Sequence, residues 1–378
     1  MDFEKSEEQR LLIHTVERFG NDFYGNAQRA TATNCEEGFS RDAWRVMAET
    51  GLLALPFSED AGGLGGKISD LACVMTELGK SIAVEPMLSG PVLTGGMLEL
   101  FGTDAQQTQW VPRIIDGSAQ TAFAHSEKNA RYNIRFVETN FAQNGQGVRI
   151  SGKKTFVLGA GAADAFIISA IPRSSSTSSP DRSEDVRFFL VDANTEGLVQ
   201  RRYRLTDGSV ACELDLTNAL GDPMTGGNFE QFEAHISKVK IAACAEMLGV
   251  MEKLFESTLD YLKTREQFGK PLSKFQVIQH RMSELYTSLE LSRSHLDRMV
   301  AANPADAHYD REIAGSKAFI SEAAINIAQE AVQLHGGIGV TDELEIGHGL
   351  KRILVLASLF GDAETELSRS IEGYKHLQ

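Results

Sequence analysis

Cysteine is scarce in this chain. Its four residues, Cys35, Cys73, Cys212 and Cys244, lie far apart and form no C-x-x-C pair. That pattern speaks against a redox or zinc-binding motif and fits reduced thiols in a cytosol. Long apolar runs are also lacking. No stretch approaches the roughly 18 apolar residues that a membrane span needs, and the acidic, amphipathic N-terminal segment is not a signal peptide. Positive charge is in deficit, with 37 Lys and Arg against 52 Asp and Glu, a net of −15. This excludes a general role on nucleic acid or an anionic membrane, while leaving room for one local basic pocket for a phosphorylated ligand. The expectation is a soluble, cytoplasmic protein with no metal, no nucleic-acid partner and no membrane partner.

What is present is a large apolar fraction, 42% of 378 residues, enough for two or three packed domains. Ser6 to Gln9 forms an S-x-x-Q capping box, and Leu12, Val16, Phe19 and Phe23 follow at helical spacing. A second helix turns Trp44, Met47 and Ala48 to one side and ends at Gly51. After the Gly-rich segment GLLALPFSEDAGGLGG, a further helix buries Leu71, Val74, Met75 and Leu78. Helical patterns continue through the stretch around Trp110. Beyond Gly117 the texture changes to short β-branched or aromatic runs, TAFAHSE, FVETNFAQ, GVRISGKKTFVL, AFIISAI, VRFFLVDA and CELDLTNA, which fit an antiparallel sandwich or barrel. PRSSSTSSPDRSED within it reads as a polar surface loop. From about Phe229 helices return. The fold class is α+β: an N-terminal helical bundle over 1–118, a middle β domain over 119–228 and a C-terminal four-helix bundle over 229–378.

Two motifs stand out, TREQFGKPLSKFQ at Thr264–Gln276 and QLHGGIG at Gln333–Gly339. The second leaves a helix, not a strand, and lacks G-x-G-x-x-G spacing, so it is not a dinucleotide-binding turn. A helix C-cap is its local explanation; close approach of a second chain or a flat ligand is the other. Together with the three-part order and the N-terminal stretches, these motifs resemble the acyl-CoA dehydrogenase family along nearly the whole chain. The resemblance implies an FAD cofactor. It also implies that Arg265 and Gln333, with Gly336 and Gly337, reach across a dimer interface to the pyrophosphate and adenosine end of an FAD held mainly by the neighbouring subunit. Gln267, Phe268 and Gln276 would join that set.

Three parts of the family pattern are missing. The family's T-E-P and small Ser/Gly turn is Ser126-Glu127-Lys128 followed by Asn129-Ala130-Arg131-Tyr132-Asn133. Its W-I-T is Phe156-Val157-Leu158, and leucine cannot donate the hydrogen bond that threonine would. The carboxylate that removes the substrate α-proton is absent: counting 27 residues on from Gln333 reaches Phe360, and counting 26 back from Arg265 reaches Val239. Asp362 is the nearest acid and reads as a helix cap; Glu246 and Glu330 read as structural, and His335 and His348 as interface or ligand-adjacent.

QLHGGIGVTDELEIGH together with LFGDA resembles the small subunit of the pimeloyl-CoA dehydrogenase type and subunits of bacterial α2β2 dehydrogenases acting on steroid side-chain CoA thioesters, a resemblance that would account for all three departures. The leading expectation is therefore a subunit without a catalytic residue of its own, completing the FAD site of a homologous partner that acts on an acyl-CoA. By family habit the electron acceptor is an electron-transfer flavoprotein. Two rivals stay open: a self-sufficient homotetramer using Asp362 as base, and a base-less acyl-CoA eliminase or desulfinase.

Overall fold

The computed structural model describes residues 5–145, 147–175 and 181–372. Residues 176–180 of the Ser-rich loop lie outside them. The chain begins with α1 (Glu7–Phe23), where Ser6 and Gln9 form the expected capping box. There follow α2 (Asn26–Asn34), α3 (Arg41–Glu49), α4 (Ile68–Lys80), a π-helical stretch (Leu88–Gly95), α5 (Gly96–Phe101) and α6 (Asp104–Ile115). Strands come next: β1 (Thr121–Ala124), β2 (Asn140–Asn144), β3 (Gly147–Leu158), β4 (Ala165–Pro172), β5 (Arg187–Asp192), β6 (Leu198–Arg204) and β7 (Val210–Met224). Helices α7 (Phe229–Thr264), α8 (Gln276–Ala301), α9 (Tyr309–His335), α10 (Glu345–Ala357) and α11 (Ala363–Glu372) complete the chain. A two-stranded hairpin, β8 (Glu266–Gln267) and β9 (Lys270–Pro271), lies between α7 and α8.

Helix α2 and strand β6 are among the elements with no counterpart in the sequence reading. Helix α2, NAQRATATN, has too few large apolar residues to show a helical stripe. Strand β6, LVQRRYR, is exposed along most of its length and pairs only with β7. An arginine-rich edge strand carries the charge that keeps it from pairing further, and that same charge makes it read as loop.

By compactness the chain forms two units. One comprises Thr31–Lys67 and Val84–Val239, the other Met1–Ala30, Ile68–Ala83 and Lys240–Gln378. In the first unit the pairings β4–β5, β5–β7, β7–β3, β3–β2 and β2–β4 close a circuit, with β1 added on β4 and β6 on β7. The sheet is mainly antiparallel, as its patterning implies. The β1–β4 and β2–β4 pairings are parallel, joining strands distant in sequence. Strand β4 is buried on both faces for seven consecutive residues, which explains its continuous apolar run. Phe166, Ile168, Val191, Cys212 and Leu214 are among the residues that fill the interior.

In the second unit α4 crosses α7 at two glycines. A Cβ on Gly79 would lie 2.1 Å from the Glu246 carbonyl oxygen, and one on Gly249 would lie 1.8 Å from that of Thr76. Glycine is required at this crossing because the backbones themselves touch. Glu246, read as structural, is buried and accepts from Arg352 Nε at 2.6 Å. Glu330 likewise accepts from Arg281 Nε at 2.7 Å.

A candidate cofactor-contacting edge

Helix α7 ends at Thr264, and every residue from Lys263 to Lys270 is exposed. The chain reverses through Phe268 and Gly269, with φ values of 54° and 78°. Two consecutive positive φ angles between paired strands make the hairpin turn whose twist matches its flanks. Glycine adopts that geometry freely, but phenylalanine pays about 1 kcal/mol for it. Phe268 is nonetheless 91% exposed, its ring set edge-on to Phe275 at 6.2 Å between centroids. No contact among the described residues accounts for a strained backbone that projects a large apolar ring into solvent.

The second motif is placed beside this hairpin by one contact. Tyr261 Oη donates to the His335 carbonyl oxygen at 3.3 Å, and the two rings stack at 4.4 Å. Tyr261 lies four residues before Arg265, and His335 two residues after Gln333, so the contact joins the ends of α7 and α9 where the motifs begin. His335 is buried and its Nδ1 donates to the Ala331 carbonyl at 2.8 Å. It clamps the end of α9 to α7 from inside the chain, at a position read from sequence as interface or ligand-adjacent. Tyr261 was not singled out from sequence, where it is one more aromatic residue on a helix.

The Arg265, Gln267, Gln276 and Gln333 side chains are exposed. Arg265 Nη and Nε make no hydrogen bond or ion pair among the described residues, although the Arg265 backbone is fixed at both ends, by N–H to Tyr261 O and by Leu272 N–H to its carbonyl, each at 2.8 Å. Gly336 caps α9 with φ 65°. Gly337 has neither a positive φ nor any atom within 4 Å of a Cβ built on it. Nothing among the described residues requires glycine at Gly337. An unpaired guanidinium, a carboxamide and an open glycine backbone suit a phosphate-bearing, flat ligand, so the donor set fits the pyrophosphate end of FAD.

At the two positions that the counts from Gln333 and Arg265 reach, the structure places Phe360 and Val239, and the acids described around Phe360 are engaged in internal bonds. Phe360, at φ 57°, accepts at its carbonyl from Arg369 Nη1 at 3.0 Å. Gly361 and Ala357 accept from Lys317 Nζ, a fully buried lysine. Glu366 is buried and accepts from Lys240 Nζ at 2.7 Å and from Arg369; burial pushes the Lys240 ammonium down to about 8 against the pull of Glu366. Val239 is fully buried. Asp362 accepts from the Thr365 N–H at 2.9 Å, as the N-cap of α11, and the Thr365 side chain, together with that N–H, holds its pKa below the ordinary value. A carboxylate made less basic by its cap is a poorer proton acceptor. Asp362→Ala is expected to cost about 1 kcal/mol of stability. Asp362→Asn, which keeps the acceptor oxygen, should leave stability and any turnover unchanged. Loss of turnover in the Asn variant, measured on the assembled enzyme, would make Asp362 the base.

In the β-containing unit the Ser126–Asn133 segment is held by a buried ion pair absent from the sequence reading. Glu127 accepts from Lys154 Nζ at 2.7 Å and from the N–H groups of Glu138 and Thr139 at 2.6 and 3.0 Å. Lys154 also donates to the His125 carbonyl and to Ser169 Oγ. Burial and then Lys154 push His125 down to about 3, so its Nε2–H donates to Ile134 O at 2.9 Å as a neutral imidazole. Arg135 forks onto Glu233 at 2.9 and 2.6 Å. Arg131 and Phe156 both adopt positive φ.

Three family models match nearly the whole chain: the acyl-CoA dehydrogenase N-terminal domain over residues 6–118, the middle domain over 122–219 and the C-terminal domain over 229–374. The chain belongs to the acyl-CoA dehydrogenase family. Acyl-CoA dehydrogenases are oxidoreductases, and the helical, β and helical order described above is their fold. A probable acyl-CoA dehydrogenase, YngJ, of Bacillus subtilis is 28% identical over 98% of both chains. A variant of the Tcur3481-Tcur3483 steroid ACAD superposes with TM-score 0.87 at 26% identity over 98% of both chains. Two more remote structures share the fold over 100% of both chains. They are the ChsE4-ChsE5 complex of Mycobacterium tuberculosis, with TM-score 0.88 at 24% identity, and PigA with FAD and proline, with TM-score 0.87 at 24%. No helix among the described residues is long and apolar enough to cross a membrane.

Proposed function

We propose that this acyl-CoA dehydrogenase chain is a subunit of an FAD-dependent α2β2 heterotetramer, in which it completes the FAD site of a homologous partner and leaves proton abstraction to that partner. Its cofactor is FAD, which when bound supplies the hydride acceptor for α,β-desaturation of an acyl-CoA thioester. Arg265 grips the pyrophosphate, Gln333 and the open Gly336-Gly337 backbone meet the same end of the cofactor, and Gln267, Phe268 and Gln276 line the approach. The observation that carries the reading is the exposed Arg265–Gly269 hairpin, strained at Phe268 and clamped to the Gln333–Gly337 turn with no internal use for either. The steroid ACAD among the structural neighbours supports a bulky acyl group, and the two-component neighbours support a homologous partner. The arrangement of Phe360, Val239 and the capping Asp362 supports a chain without a base.

The test is flavin stoichiometry by absorbance, on this chain alone and co-expressed with a homologous dehydrogenase encoded beside it. The expected result is a colourless lone chain and about one FAD per pair of chains in the complex. One FAD per chain in the lone protein overturns the proposal. Acyl-CoA turnover with no reduction of an electron acceptor would instead point to elimination.

A further inference from the structure

A second basic pocket lies at the opposite end of α8 and α9. It has a volume of about 270 Å³ and is lined by His295 and Arg298 of α8, by His308, Arg311, Glu312, Gly315 and Ser316 at the start of α9, and by Ser370 of α11. It is remote from the flavin-contacting motifs. The nineteen helical steps of α8 from Gln276 to His295 span about 28 Å, and the eighteen of α9 from Gly315 to Gln333 about 27 Å.

The lining is almost entirely hydrogen-bond donors. Arg298 and Arg311 bring two guanidiniums, and Ser316 and Ser370 bring hydroxyls. Glu312 is the one acid among the lining residues, and Arg298 Nη2 already meets it at 3.0 Å. That ion pair is largely solvent-exposed, so little energy holds it in place. Arg311 donates to His308 Nδ1, a bond that ties the two lining side chains together. His295 is fixed by stacking on Phe319 at 4.5 Å and by Ser316 Oγ at 3.1 Å from Nδ1. With the Ser316 hydroxyl donating to Nδ1, Nε2 carries the proton. Neither His295 Nε2 nor Ser370 Oγ has a hydrogen-bond partner among the described residues. Gly315 lets α11 approach, since a Cβ there would sit 2.9 Å from Ser370 Oγ. In a chain of net charge −15, a concave site with two arginines and one already-paired acid is a local reversal of sign.

We propose that this pocket binds a phosphate group, as free phosphate or as part of a phosphorylated metabolite, at a site separate from the flavin. Paired guanidiniums with hydroxyl and imidazole donors match tetrahedral oxyanion geometry, and the cavity is larger than phosphate alone. The test is isothermal titration calorimetry of the full chain with inorganic phosphate and with adenosine monophosphate, at constant ionic strength in chloride. Saturable binding of either is expected. Tighter binding of the nucleotide would identify a phosphorylated metabolite as the source, and equal binding the phosphate itself. Arg311→Gln and Arg298→Gln should each weaken binding about ten-fold or more. Ser370→Phe, which fills the cavity without removing a charge, should do the same. Absence of saturable binding, or folded variants that bind as tightly as the parent, would overturn the proposal.

Discussion

Arg265→Ala is expected to weaken FAD binding in the assembled enzyme by about ten- to a hundred-fold, the loss that follows from removing charge-assisted hydrogen bonds to a phosphate. The measurement is flavin retained after gel filtration, followed by reconstitution with added FAD to obtain the affinity. The variant separates function from folding because of where the side chain lies. It is exposed and makes no internal bond among the described residues, so the stability of the chain should change by no more than about 0.5 kcal/mol. Gln333→Ala should act in the same direction with a smaller effect, since a neutral carboxamide contributes a weaker hydrogen bond than a guanidinium. Unchanged flavin affinity in Arg265→Ala, with assembly intact, would remove the basis for the half-site reading.

Lys154→Met should destabilise the β-containing unit by about 3–5 kcal/mol, because it strands a buried carboxylate. Lys154 and Glu127 are 0% and 3% exposed, so water cannot replace the lost partner. Adding Glu127→Gln to that variant should recover part of the loss, since the amide oxygen still accepts from the Glu138 and Thr139 N–H groups without a charge. Urea denaturation of the three proteins decides the matter; a single variant within about 1 kcal/mol of the parent would refute it. The pH dependence has a definite sign. Burial pushes the Glu127 carboxyl up, but Lys154 and the backbone N–H of Thr139 outweigh it, leaving the pKa below 4.5. The stability it contributes is therefore present above about pH 4.5 and is lost as pH falls through the lowered folded-state value.

Much of the local architecture could be read without coordinates because it depends on near neighbours in sequence. The Ser6 capping box, the buried stripe of Leu71, Val74, Met75 and Leu78, and the β-branched runs of the strands each follow from spacings of two to four residues. The lack of a carboxylate at Phe360 and Val239 is likewise a matter of counting. Elements with weak patterns were not legible. Helix α2 has little apolar content, β6 is a charged edge, and the π-helical stretch contains Pro91, which reads as a helix breaker.

The sequence by itself determined the α+β class, the two motifs and the residue types they offer. Tertiary structure alone decided what those residues face. Gly249 and Gly337 are the same residue, each on or beside a helix, yet a Cβ would strike backbone 1.8 Å away at one and meet nothing within 4 Å at the other. The Tyr261–His335 contact joins the ends of α7 and α9 where the two motifs begin, and the Lys154–Glu127 pair closes a loop that reads only as a damaged motif. The physical reason is common to all three. Burial, ion pairing and close approach depend on distances between segments far apart in the chain, and those distances are set by packing, not by local spacing.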